Sequence, residues 1–394
     1  MISFTKLLFN DNYFGDSLRY SNEARGATAG ARRDGGPVVV WNCTRACNLQ
    51  CRHCYAGAGR EAAPGEMTTP EARDFLDQLV AFRVPVLLLS GGEPLVRPDV
   101  FDLMATAVQQ GLRVTLSTNG TLIDRSTARE LKRIGISYVG ISLDGVETKH
   151  DAFRGVRGSF QAALEGIRNC LAVNQRVGLR FTISRNNVDQ LEEIFYLLQE
   201  ENIPRACFYH LVYSGRGSEL AGEDLDHEES RATMDFLIDA TRRLKRMGRE
   251  VEILTVDNHA DGIYLYLRLL REDPERAASV RELLRLNGGN RSGIAIGAVD
   301  WTGAVHPDQF TMHHSLGNVR ERPFGTIWTD LSHPLLRGLR DRKPLLKGRC
   351  ATCAWLGLCN GNCRVRAESV AGDFWDADPA CYLTEKEIAG GELA

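Results

Sequence analysis

Between Pro37 and residue 215 the sequence repeats one unit: a short apolar run, a turn, then an amphipathic stretch. The apolar runs fall at 38–41, 86–90, 113–117, 138–142, 178–183 and 206–211, and helical periodicity covers 69–82, 99–110, 126–134, 159–172 and 188–200. Strands alternating with helices at this spacing build a parallel sheet with helical crossovers, and six such units curve into an open barrel. The expected fold class is therefore α/β. Parallel sheets carry their chemistry at the carboxyl ends of the strands, so function is to be sought in the loops that follow each run.

The first of those loops is Cys47-Asn48-Leu49-Gln50-Cys51-Arg52-His53-Cys54, directly behind Val38-Val39-Val40-Trp41. Three soft thiolates on one turn suit iron and sulfur better than a hard cation, and three ligands leave one iron of a four-iron cluster open to a substrate. Two other readings stand beside it: a zinc site completed by a fourth ligand such as His53, or disulfides. The later loops are Gly91-Gly92-Glu93-Pro94, Ser117-Thr118-Asn119-Gly120, Ser142-Leu143-Asp144-Gly145 and Tyr213-Ser214-Gly215-Arg216-Gly217. Paired glycines let a backbone close on a ligand, and a carboxylate accepts from a ligand ammonium. Singly each loop is a common turn; in order, behind a cysteine triplet, they form a specific signal.

A second constellation closes the chain: Cys350-x2-Cys353-x5-Cys359-x3-Cys363, then Cys381. Five thiols exceed one tetrahedral site by one ligand, and zinc and a four-iron cluster are both admissible on spacing alone. The eleven cysteines of the 394-residue chain, eight of them within 43–54 and 350–363, suit metal ligation in a reducing compartment better than a disulfide framework. Lys and Arg total 48 against 51 Asp and Glu, so no strong global field draws the protein to nucleic acid or anionic lipid. No apolar run approaches a membrane span, and the opening MISFTKLLFNDNYFGD has acids where a secretory signal would carry its hydrophobic core, which reads as cytoplasmic.

Around the barrel units, residues 1–24 read as a packed extension and 24–36, rich in glycine and small residues, as a flexible linker. Residues 219–249 read as a charged helix with Met234, Leu237 and Leu244 on its apolar side. The loop 254–262 places His259 between Asp257 and Asp261, suited to helix capping or to a substrate role. A polar turn at 287–293 leads into a hairpin over 294–306. The domain boundaries expected are 1–36 for extension and linker, 37–250 for the barrel, 251–335 for a connecting region and 336–394 for a metal-binding segment.

Cys47-x3-Cys51-x2-Cys54 followed by Tyr55 resembles the signature of radical S-adenosylmethionine (SAM) enzymes. In that superfamily the unique iron of a [4Fe-4S] cluster chelates the amine and carboxylate of SAM. An electron from the cluster splits the sulfonium, and a 5′-deoxyadenosyl radical takes hydrogen from the substrate. The resemblance implies a partial (β/α)6 barrel in which Gly91, Gly92 and Glu93 hold the SAM amino group, Asn119 lies beside SAM, and Ser142 and Asp144 lie near its ribose or carboxylate. Arg180, on one face of its strand with Thr182, is the candidate for the SAM carboxylate, and 213–217 for packing against adenine. The C-terminal segment, preceded by Leu316-Gly317-Asn318-Val319 and Ile327-Trp328, resembles the SPASM extension of these enzymes. The two-cluster form of that extension has a cysteine in the hairpin at 294–312, and here there is none. One auxiliary [4Fe-4S] cluster is therefore implied, on Cys350, Cys353, Cys359 and Cys381, with Cys363 spare or an alternate ligand.

Nearly the whole chain is similar to the NirJ/AhbC family, through MISFTKLL, Phe14-Gly15-Asp16-Ser17-Leu18-Arg19-Tyr20, Gly36-Pro37-Val38-Val39-Val40-Trp41-Asn42, His306-Pro307-Asp308-Gln309-Phe310 and Asn360-Gly361-Asn362-Cys363-Arg364-Val365-Arg366-Ala367-Glu368. Members act on side chains of siroheme-derived tetrapyrroles. The N-terminal block is more like the AhbC branch, which removes two acetates from didecarboxysiroheme to give iron-coproporphyrin III; the NirJ branch removes propionates on the way to heme d1. The resemblance implies a tetrapyrrole substrate and a low-potential electron donor such as ferredoxin or flavodoxin, with no protein nucleophile. Arg216, Arg291, Arg320, Arg364 and Arg366 are the candidates for substrate carboxylates. His210 or one of His306, His313 and His314 is the candidate for the substrate iron or a proton relay. Two rivals remain: a SPASM-type peptide-modifying enzyme, and an iron–sulfur or zinc protein without catalysis, which leaves Gly91-Gly92-Glu93-Pro94 unexplained.

Overall fold

A computed structural model describes residues 1–20 and 36–391; most of the expected linker lies outside the described residues. Among the described residues eleven strands form one sheet: β1 Ile2–Ser3, β2 Val38–Asn42, β3 Leu87–Ser90, β4 Val114–Thr118, β5 Tyr138–Ser142, β6 Val177–Ile183, β7 Arg205–His210, β8 Glu252–Val256, β9 Ile296–Val299, β10 Ala304–His306 and β11 Gly317–Asn318. Their order is β1-β8-β7-β6-β5-β4-β3-β2-β9-β10-β11. Every neighbour pair from β8 through β2 to β9 is parallel, and the outermost pairs are antiparallel. The six expected strands are all present, each beginning within one residue of the sequence reading.

The sheet runs further than those six units on both sides. Residues 252–256, the last three of them expected in the loop 254–262, form a seventh parallel strand against β7. Glu252 disguises it in the sequence, and its buried carboxylate is paired with Arg19 and, at 3.2 Å, with Arg205 Nε. The expected hairpin is there as β9 and β10, with Val305 opposite Val299, and β9 also pairs in parallel with β2. The N-terminal extension packs as expected. Ser3 caps the helix Phe4–Phe9 by accepting from the Lys6 N–H, and β1 covers the edge of β8.

Several helices depart from expectation. The charged helix starts at His227, not near 219, because Asp226 and Glu229 close a capping box and the preceding Gly215–Glu223 winds as a 3₁₀ turn. Glu147–Arg154 and Pro274–Asn287 are helices the periodicity did not show, the second capped by Asp273 with proline in its first turn.

Alternation along each strand sorts the side chains. One set, Trp41, Leu87, Leu89, Val114, Leu116, Val139, Ile141, Leu179, Phe181 and Phe208, is fully buried against the outer helices. The other set points inward, and Val40, Leu88, Ser117, Ser142, Arg180, Thr182 and Tyr209 line the lumen. Gly140 makes room there, since a Cβ would stand 2.8 Å from Arg180 Cδ. The C-terminal segment has only short helices, and its buried arginines bind backbone carbonyls of its own and of the rest of the chain. Arg342 donates to the carbonyls of Leu339, Ser292 and Asn360, and Arg366 donates to those of Leu211 and Asp257 while pairing with Asp378 at 2.8 Å. Those last bonds fasten the segment to the mouth of the barrel. Among the described residues no helix is long and apolar enough to cross a membrane.

Candidate active site

The cysteine loop leaves β2 and folds over the carboxyl ends of the sheet. Gly91 and Gly92 make this contact: a Cβ at Gly91 would stand 2.4 Å from the Thr44 carbonyl and one at Gly92 2.1 Å from that of Ala46. Backbone bonds from Cys43 to Ser90, from Gly92 to Thr44 and from Glu93 to Ala46 extend β3 along the loop. From the other side, Gln50 and Arg52 donate to the carbonyls of Arg154 and Phe153, at the end of Glu147–Arg154. The three sulfurs thus face one cavity of about 140 Å³.

Each sulfur receives an N–H. Leu49 N–H donates to Cys47 and Ala58 N–H to Cys54, both at 3.4 Å, and Arg154 Nη1 lies 3.5 Å from Cys51. Burial nonetheless pushes the Cys47 thiol up to about 12 and raises Cys51, Arg154 opposing in the second case. Thiolates there need a metal cation as partner. Tetrahedral zinc would bring its sulfurs to about 3.8 Å from one another. Among the described residues the trio of ligands within 4.8 Å is His313, His314 and Glu368, and neither cysteine set is that tight. His53 stacks on Phe153 at 4.5 Å, with Nε2 3.7 Å from Asp144. The donor set fits a wider iron–sulfur cluster with one iron left to an outside ligand.

Of the residues expected around SAM, Gly91, Gly92, Asn119, Ser142 and Arg180 lie on the cavity wall with the three cysteines. Glu93 and Asp144 stand one layer behind, fully buried. The Glu93 carboxylate accepts from the N–H groups of Leu95 (3.1 Å) and Asn119 (2.7 Å) and from the Thr118 hydroxyl (2.8 Å), tying two strand ends together. Asp144 accepts from the Thr182 N–H at 2.6 Å and is ion-paired with Arg154. Burial alone would raise its carboxyl; Arg154 overrides this and holds it below the ordinary range. Arg180 bonds Ser117 Oγ and sits over the Tyr209 ring, 4.7 Å from its centroid. Tyr55 donates to Asn42 Oδ1 and meets Ser90 Oγ, both at 2.9 Å, bracing the loop against β2 and β3.

Arg154, which lines the cavity and touches Cys51, is the site residue the sequence reading missed. Its helix shows no apolar stripe, and the available signal was a cationic residue just before Gly155, which takes the left-handed conformation at φ +71°.

Below the cluster side, the lumen opens into a second cavity of about 380 Å³, within the range of small-molecule sites. The two spaces share Val40, Leu88, Arg180, Tyr209, Asp257, Gln309 and Phe310.

Residues 41–210 match the family model of the radical SAM superfamily. The chain is 54% identical, over 98% of its length and 99% of the relative's, to an Fe-coproporphyrin III synthase of Methanosarcina barkeri. The chain belongs to the radical SAM superfamily. It is also 44% identical to a pre-heme d1 synthase of Dinoroseobacter shibae, over 91% of this chain and 89% of that one. In fold it is similar to SuiB of Streptococcus suis bound to S-adenosylmethionine, with TM-score 0.67 and 20% identity over 89% of this chain and 78% of that chain. It is similar in the same way to anSMEcpe with bound AdoMet, with TM-score 0.68 and 20% identity over 87% and 93%. As a radical SAM enzyme the chain uses a [4Fe-4S] cluster and SAM.

The C-terminal segment of this radical SAM chain gathers Cys350, Cys353, Cys359 and Cys381 around one small cavity, with Ala260, Ile263, Leu356 and Leu383 as its apolar wall. Cys363 faces away from it and lines the wide cavity. Three of the arginines expected at substrate carboxylates are committed elsewhere. Arg320 pairs with Glu71 at 2.8 Å on the surface, and Arg364 and Arg366 are buried against backbone carbonyls. Arg216 lines the cluster cavity, donating to the carbonyls of Cys51 and Ala58. Arg291 lines the wide cavity, joined there by Arg19, Arg113, Arg180 and Arg205.

Proposed function

We propose that the chain is an Fe-coproporphyrin III synthase of heme biosynthesis by the siroheme route, removing the two acetate side chains of didecarboxysiroheme. The observation that carries this reading is the 54% identity to the Methanosarcina barkeri enzyme along both chains. The wide cavity that opens into the cysteine site supports it: Arg113, Arg180 and Arg291 line it, while Arg19 and Arg205 on the same wall are paired with Glu252, and a tetrapyrrole with several carboxylates needs a large space with guanidinium partners.

In this reading Cys47, Cys51 and Cys54 hold the SAM-binding cluster, and Arg154 and the loop N–H groups stabilise the sulfur charge. Gly91, Gly92, Asn119, Ser142 and Arg180 contact SAM. Glu93 and Asp144 fix the loops and Arg154 from behind the wall. When bound, the cluster and SAM supply the radical that takes hydrogen from a side-chain carbon of the substrate. One auxiliary [4Fe-4S] cluster sits on Cys350, Cys353, Cys359 and Cys381, and a ferredoxin or flavodoxin delivers electrons. Eleven cysteines without a disulfide among the described residues fit a reducing, cytoplasmic setting.

The test is anaerobic turnover of reconstituted protein with dithionite, SAM and didecarboxysiroheme, following deoxyadenosine and tetrapyrrole mass together. Loss of two acetate groups is expected. Loss of propionate mass instead would move the protein to the pre-heme d1 reaction of its 44% relative. Deoxyadenosine with unchanged tetrapyrrole would remove the substrate assignment and turn attention to peptides.

A further inference from the structure

Nine histidines offer nine imidazoles to a substrate iron, and the structure commits most of them. His53 is stacked on Phe153, and His150 Nδ1 accepts the Asp144 N–H at 3.1 Å. His210 Nε2 is bonded to Asp261 at 3.0 Å, and that carboxylate's other oxygen accepts from the Tyr382 hydroxyl. His227 bonds the Pro379 carbonyl; His306 Nδ1 bonds that of His314; His313 and His314 both sit on Glu368. His333 begins the helix Pro334–Arg340, away from both lumen cavities.

His259 is the histidine that lines the wide cavity, and no hydrogen bond reaches its ring; buried ring nitrogens without a hydrogen bond also occur at His53, His150, His306 and His333, which line no part of that cavity. The backbone beneath is held from several sides: its N–H donates to Asn362 Oδ1 at 2.7 Å, Asn362 Nδ2 donates to Asn258 Oδ1 at 2.8 Å, and Asn258 Nδ2 donates to the Ala380 carbonyl. A fixed backbone with a ring bonded to nothing describes a residue waiting for a ligand. It stands just beyond the carboxyl end of β8, where parallel sheets place their chemistry, and beside Cys363 and Asp257 on the same cavity wall.

We propose that His259 is the axial protein ligand to the iron of the bound tetrapyrrole, an assignment that rests on the iron tetrapyrrole being the substrate. Neutral imidazole is the form that binds iron. Burial first, with Arg342 and Arg366 adding to it, keeps His259 well below its ordinary range and so neutral. The ligand orients the macrocycle, fixing which edge faces the cysteine site.

The test reads the iron, not turnover. The holoenzyme, with its clusters in the oxidised diamagnetic state and its histidines labelled with ¹⁵N, is loaded with ferric iron-coproporphyrin III and studied by electron–nuclear hyperfine spectroscopy. A histidine ¹⁵N coupling to the ferric iron is expected in the wild-type protein and absent in His259→Ala, with free imidazole restoring an axial nitrogen. The same variant is expected to bind iron-coproporphyrin III on the order of tenfold more weakly and metal-free coproporphyrin as well as the wild type does. Tetrapyrrole binding without the coupling in the wild type, or a coupling that survives His259→Ala, would overturn the assignment and leave the substrate reading intact. If the wild type binds neither coproporphyrin, the substrate reading fails and the assignment with it.

Discussion

Arg154 aims one guanidinium nitrogen at the sulfur of Cys51, 3.5 Å away, and pairs the other with the fully buried carboxylate of Asp144. A cation beside a cluster thiolate offsets its charge, and the anion behind the cation keeps it in place. Removing Arg154 alone strands Asp144 in a dry site. Arg154→Met should therefore lower stability by about 3–5 kcal/mol, and the double variant with Asp144→Asn should cost less than the sum of the two single changes. Denaturant unfolding of anaerobically prepared protein measures both. In whatever fraction still holds iron, the potential of the SAM-site cluster should become more negative, read by redox titration with electron paramagnetic resonance. Full additivity would mean that the pair is not a unit.

Gly92 passes so close to the cysteine loop that any side chain displaces it, its built Cβ lying 2.1 Å from the Ala46 carbonyl. With the cluster ligands as proposed, Gly92→Ala should thus lose the iron assigned to Cys47, Cys51 and Cys54 while keeping that assigned to the C-terminal set. Gly59, in the same loop with open space around its Cβ position, is the control, and Gly59→Ala should keep all its iron. Iron and sulfide assays of the reconstituted proteins decide it. Equal loss in both variants would show that the loop tolerates no change, and not that the close approach at Gly92 matters.

How far the sequence reaches can be judged residue by residue. The strands from Val38 to His210 were legible because their apolar runs are short, bounded by turns and spaced by helices. Strand β8 was not, since Glu252 starts it and its burial depends on Arg19 and Arg205, partners more than forty residues distant in the chain. The pairing of Val38 with Ile296 is equally invisible to a local pattern, although the hairpin built on Ile296–Val299 was visible. At the site, spacing brought out the cysteines and glycines. It did not bring out Arg154, nor that Arg364 and Arg366 are interior hydrogen-bond donors, because charge in a sequence suggests solvent until the carbonyls that receive it are known.

His150 gives the fold a pH dependence of definite sign. Burial, with Arg154 adding to it, lowers its folded-state value to about 4 from the ordinary 6.5. The unfolded chain therefore binds the extra proton between those values, so this contribution to stability is complete above about pH 6.5 and is lost as pH falls toward 4. The full loss is about 3 kcal/mol. His150→Gln should flatten the stability profile across that window by the equivalent of one proton, and the wild-type-minus-variant difference in unfolding free energy from pH 4 to 7 isolates it. A difference that does not change with pH would mean that the ring titrates normally in the folded protein.

The C-terminal thiols divide by the cavity they face. Cys350, Cys353, Cys359 and Cys381 converge on one apolar cavity, whereas Cys363 turns into the lumen with its backbone N–H on Asp378 Oδ2 at 3.0 Å. Burial raises the thiol of Cys359 well above its usual range and pushes Cys381 up to about 12, so these sulfurs are costly to ionise unless a metal takes the charge. With the auxiliary cluster proposed on these four, Cys359→Ala should then remove one cluster's share of the iron, about four atoms per chain, and lower the melting temperature of the holoenzyme. Cys363→Ala should keep the full iron complement and the same auxiliary-cluster resonance. If Cys363→Ala loses iron to the extent that Cys359→Ala does, the fourth ligand is Cys363, and the segment must rearrange around the cluster to bring that sulfur out of the lumen.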